Sequence, residues 1–63
     1  MEKRFPLRIA MDHREYEVQA IVKKGNEATQ AMGYVFDEAG KKHRIESPST
    51  RIRLAQHLAQ DQS

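Results

Sequence analysis

The chain has 63 residues, eleven Lys/Arg against nine Asp/Glu, no cysteine and no tryptophan. That length allows one small domain spanning 1–63. It leaves no apolar run near the ~20 residues a membrane-spanning helix needs, and no thiolate metal site or disulfide framework. The N-terminus passes directly into alternating residues rather than a secretory apolar stretch, so a cytoplasmic location is expected. Leu, Ile, Val and Phe number twelve, 19% of the chain. This is close to the ~20% level at which disorder competes with folding. The small net charge and ordered apolar periods favour a folded chain. Small scaffolds without disulfides or metals commonly gain stability by oligomerising, which makes a homodimer the default expectation.

Residues 5–11 alternate: Phe5, Leu7, Ile9 and Met11 against Pro6, Arg8 and Ala10. This is a strand period, with Pro6 marking an edge strand or a strand start. Tyr16, Val18, Ala20 and Val22 alternate in the same way. A four-residue turn over 12–15 pairs Met11 with Tyr16, Ile9 with Val18, Leu7 with Ala20 and Phe5 with Val22. All eight side chains then share one face, and a one-residue slip would scatter them. This register leaves Arg8, Glu15, Glu17, Gln19 and Ile21 pointing outward.

Lys23-Lys24-Gly25-Asn26 has turn chemistry, and 27–31 fits loop, helical turn or strand. Gly33-Tyr34-Val35-Phe36 has strand propensity, with Gly33 marking a bulge or close packing of the helix. Asp37-Glu38-Ala39-Gly40 suits a hairpin loop, with 41–46 returning as a fourth strand. If Gly40 forms a bulge, Phe36 opposes Lys42 and Tyr34 opposes Arg44. Tyr34, Phe36, Lys42 and Arg44 then share the wet face. A four-residue loop instead pairs Tyr34 with Ile45 and buries the aromatics.

Ser47 can cap a helix with Pro48 at its first position, or Ser49 can cap it one turn later. Leu54, Leu58, Ala55, Ala59 and Ile52 fall on one arc of that helix, while Arg53, Gln56, His57 and Gln60 fall on the other. The predicted architecture is α+β: a four-stranded, meander-like antiparallel sheet with one C-terminal helix on one face, β-β-β-β-α.

Catalysis finds little support. The three histidines lack helical zinc spacing, and His57 with Asp61 at i, i+4 suits a surface pair. The serines suit helix caps, and so small a domain has little room for a water-excluding pocket. No enzyme activity, cofactor or small-molecule substrate is expected. Charge is more informative. Residues 1–40 carry a net −1, whereas 41–63 carry +3 through Lys41, Lys42, Arg44, Arg51 and Arg53. Basic groups interleaved with Tyr34 and Phe36 suit phosphate contact and base stacking, hence a candidate nucleic-acid site. Arg51 and Arg53 sit against the helix dipole, as groups kept for a partner would. The bland reading of the cluster is a solvated surface. Tyr34 to Lys42, followed by a short strand and an Ala/Leu helix, resembles the arm-type DNA-binding domains of tyrosine recombinases over 33–60 at most. Those use a three-stranded sheet against a helix, and the leading strand pair here departs from that pattern. The alternative is a protein-interaction module: a small adaptor or inhibitor acting on a larger partner, or a homodimer formed through the 5–11 edge.

Overall fold

A computed structural model describes residues 4–61, with Asp61 described by its backbone alone. Four strands, β1 (Leu7–Met11), β2 (Arg14–Lys24), β3 (Glu27–Phe36) and β4 (Lys42–Arg44), are followed by one helix, α1 (Pro48–Asp61). The strands form one antiparallel sheet in the order β1-β2-β3-β4, the expected α+β meander. The helix covers one face of this sheet and the other is open. Met11, Tyr16, Val18, Ala31, Ile45, Leu54, Ala55 and Leu58 form the buried core between helix and sheet. Leu7, Ile9, Ile21, Ala28 and Val35 pack around it, half-buried.

Near its turn the first hairpin keeps its predicted faces but not its predicted register, and Phe5, expected to face Val22 on the buried side, lies before β1 and is 37% exposed. Ile9 opposes Tyr16, Leu7 opposes Val18 and Met11 opposes Arg14, a shift of two residues. Only Asp12 and His13 form the turn, both at positive φ (53° and 63°). Two left-handed residues give a tight turn whose twist matches that of the strands, and Arg14 and Glu15 are drawn into β2. A shift of two preserves the alternation, so Leu7, Ile9, Met11, Tyr16 and Val18 still share the helix side. Asn-Gly is the preferred sequence for such a turn, and a β-substituted residue there is strained. His13→Gly should therefore stabilise the chain by about 1 kcal/mol, raising Tm by roughly 5 °C in a thermal melt.

The distal half of β2 corrects the expected pattern. Register shifts fall between Val18 and Ala20 and between Val22 and Lys23. The first leaves Gln19 without a partner and reverses the alternation beyond it. Ala20 and Val22 consequently face away from the helix, Val22 being 47% exposed, while Ile21 packs against the core. Across from the second shift, Thr29 Oγ1 donates to the Val22 carbonyl at 3.1 Å. Residues 27–31 are strand throughout.

Gly33 stands opposite Val18, at the first irregularity. A Cβ built there would lie 2.0 Å from the Glu17 carbonyl oxygen and 3.0 Å from the Val18 Cα. The close approach is therefore to the β2 backbone, not to the helix.

Of the two expected caps, Ser47 starts the helix. Its Oγ accepts from Thr50 N at 3.4 Å and its carbonyl from Arg51 N at 3.2 Å, with Pro48 the first helical residue. The buried arc is rotated from the predicted one. Leu54, Ala55 and Leu58 are buried and Thr50, Arg51 and His57 are half-buried, whereas Ile52 (42% exposed) and Ala59 face outward. A helix lying on a twisted sheet buries only the stripe nearest its line of contact, and Ile52 and Ala59 lie on the flank of that stripe. The Asp61 side chain, which the i, i+4 spacing pairs with His57, lies outside the described residues. No described helix is long and apolar enough to cross a membrane.

Candidate nucleic-acid interface

The second hairpin adopts the register with the Gly40 bulge. Tyr34 opposes Arg44, Val35 opposes His43 and Phe36 opposes Lys42. Gly40, at φ 82°, donates to the Asp37 carbonyl at 2.9 Å, and Asp37 N donates to the Lys41 carbonyl at the same distance. Asp37 Oδ1 accepts from Ala39 N (3.0 Å) and Lys41 N (2.8 Å), which locks the turn from inside. Its Oδ2 lies 2.8 Å from His43 Nε2. The His43 hydrogen bond, followed by that from Lys41 N, holds the Asp37 carboxyl below the usual range.

This turn decides the face of four predicted site residues. Tyr34, Phe36, Lys42 and Arg44 lie together on the open side of the sheet. Register extends the group: Arg8, Glu17, Tyr34 and Arg44 form one row across all four strands. The Arg8 guanidinium lies 4.3 Å from the centroid of the Phe36 ring. Lys42 Nζ stands 4.9 Å from the Tyr34 centroid, and the Arg44 guanidinium 6.0 Å from it. Contacts of this kind contribute about 0.5–1 kcal/mol each at exposed sites. Their larger consequence is positional, because they hold flexible cations over flat rings on an uncovered surface.

Two carboxylates share the surface. Arg8 Nη2 donates to Glu15 Oε2 at 2.6 Å, and Lys42 Nζ to Glu17 Oε2 at 3.3 Å. Gln19 also donates to Glu17. Surface ion pairs of this type add little stability, but they orient the cations and partly offset their field. Beyond Tyr34 the open face continues through Met32, Ala20 and Val22, so an apolar strip leads away from the charged row.

The remaining three predicted residues are placed elsewhere. Lys41 is exposed in the 37–41 turn. Arg51 is half-buried and donates twice to the Ile45 carbonyl, from Nε at 3.0 Å and Nη2 at 2.7 Å. That bond ties the start of α1 to the end of β4, and beside it Arg51, Arg44 and Tyr34 line a small notch of about 100 Å³. Arg53 pairs with Asp12 and joins the helix to the first turn. Each arginine thus has a structural partner that offsets its unfavourable place in the helix dipole.

Arg8 and Glu17 are members of this surface that local reading missed. Sequence showed both pointing outward, but their place beside Tyr34 depends on the β2–β3 register. A second hollow, open and about 560 Å³, lies between the two turns and is lined by His13, Arg14, Glu15, Val35, Phe36, Asp37, Glu38 and His43. Among the described residues, no group of three or more His, Asp or Glu is arranged to hold a metal ion. Comparison with protein families, with curated proteins and with solved structures returns no match for this chain.

Proposed function

We propose that this chain is a non-enzymatic nucleic-acid-binding module that uses the open face of its sheet. The observation that carries the reading is the row of cations over aromatic rings: Arg8 on Phe36, and Lys42 with Arg44 on Tyr34. Lys42 and Arg44 neutralise phosphates, while Tyr34, Phe36 and the Arg8 guanidinium plane offer flat surfaces to bases. Lys41, exposed in the adjoining turn, adds a further phosphate contact. Arg51 and Arg53 serve the site indirectly, by fixing the helix to β4 and to the first turn. A cytoplasmic location accords with this role and with the absence of cysteine.

The test is a salt titration by fluorescence anisotropy, using labelled single-stranded and duplex DNA and RNA of generic sequence. About three phosphate contacts imply a roughly 40-fold loss of affinity on going from about 50 to 200 mM salt. Absence of binding to every probe at low salt removes the reading. The chain would then stand as a protein-interaction module acting on a larger partner.

A further inference from the structure

We infer that the chain self-associates as an antiparallel two-fold dimer through the outer edge of β1, with Ile9 on the axis. β1 is the terminal strand of the sheet, and among the described residues no strand lies beyond its outer edge. The two-residue turn makes Met11 and Arg14 a hydrogen-bonded pair, so the peptide groups of Leu7, Ile9 and Met11 are directed at β2. Those of Arg8 and Ala10 point outward to the free edge. Edges are normally blunted by charged side chains, proline or a bulge. Leu7–Met11 has no bulge or lysine, its one charge is Arg8, and Pro6 stands just before it, so what a partner meets along the strand itself is Arg8 and Ala10.

Charge selects the register. An axis through Arg8 sets that guanidinium against its own copy, and directly opposed like charges are destabilising. An axis through Ala10 sets Arg8 against Asp12, a turn residue at φ 53° that cannot extend a ladder. With the axis at Ile9, Arg8 of each copy pairs with Ala10 of the other, and the outward peptide groups satisfy one another. On the open face, each Arg8 then meets a small methyl group, with the second copy's Glu15 carboxylate beyond it. On the helix side, Leu7 meets Met11 and Ile9 meets Ile9. Leu7 and Ile9 are only half-buried in the single chain, because α1 lies over β3. Apolar matching and charge complementarity therefore name the same occupant, a second copy.

This inference is independent of nucleic-acid binding and is tested without nucleic acid. Sedimentation or light scattering at about 300 μM, where a small interface of this class should be populated, is expected to give a mass approaching twice 7.3 kDa. Ala10→Lys sets an ammonium against the second copy's Arg8 at an exposed position, and should return the mass to that of one chain with an unchanged circular dichroism spectrum. Because the chain has no cysteine, Ile9→Cys reports the axis directly. Non-hydrogen-bonded pairs stand at a Cα separation of about 4.5 Å, within disulfide range, so mild oxidation should cross-link most of the protein. Val22→Cys, on the exposed ribbon, should remain uncross-linked. A single-chain mass for the unaltered protein overturns the inference, as does a dimer that survives Ala10→Lys.

Discussion

Gly33→Ala is expected to cost at least about 3 kcal/mol and to leave much of the chain unfolded. The added methyl would sit 2.0 Å from the Glu17 carbonyl oxygen, far inside van der Waals contact. The group in the way is backbone in the neighbouring strand, so no side chain can swing clear. Relief requires β2 and β3 to separate where Val18, fully buried, opposes Gly33. Parting the strands there breaks ladder bonds and opens the core against Leu54, and overpacking alone costs about 1–3 kcal/mol. A domain of this size, without disulfide or metal, rarely holds more than about 3–5 kcal/mol in total. A urea or thermal melt followed by circular dichroism measures the loss. A midpoint within experimental error of the unaltered chain would show that the two strands are further apart than a 2.0 Å approach of that methyl to the Glu17 carbonyl oxygen requires.

The second large effect concerns the open face. Replacing both Lys42 and Arg44 with Ala should weaken nucleic-acid binding by roughly 30-fold at low salt and flatten the salt dependence by about two phosphate contacts. Both side chains are exposed, so the fold should tolerate the change. Glu17→Gln should act in the opposite direction, raising affinity a few-fold. It removes a carboxylate from the binding row and releases Lys42, which Glu17 engages at 3.3 Å. Opposite signs from neighbouring residues of one face separate an electrostatic surface from a general loss of structure. Unchanged affinity in the double variant would exclude the sheet face as the site, even if the chain binds nucleic acid by another surface.

The candidate surface was legible in part. The Gly40 turn carries its own instructions: an Asp that can accept from two backbone N–H groups, and a glycine where φ must be positive. That chemistry allowed the register that sets Tyr34, Phe36, Lys42 and Arg44 on one face, but a four-residue loop that buries the aromatics fitted the same residues. Only the observed pairing of Tyr34 with Arg44 and Phe36 with Lys42 decides between them. Arg8 and Glu17 could not be joined to them, because no local signal marks the pairing of β2 with β3. The two N-terminal helix arginines illustrate the converse. Their place against the helix dipole is visible in sequence, but the Ile45 carbonyl and the Asp12 carboxylate that engage them come from other elements.

Alternation of apolar and polar residues was enough to define the first two strands, their faces near the first turn and the helix that covers them, whereas the first half of β3 stayed open between loop, helical turn and strand. Short-range chemistry at Ser47-Pro48-Ser49 and Asp37–Gly40 narrowed the helix start and the closure of the second hairpin to two choices each. These features depend on neighbours in the chain, so the residue order contains them. The tertiary structure alone decided the two-residue first turn, the unpaired Gln19 that turns Ile21 inward, and the line along which α1 meets the sheet. Each of these follows from how closely two strands, or a helix and a twisted sheet, can approach. That distance is settled by contacts between segments remote in sequence, such as Gly33 with Glu17, and not by the residues on either side.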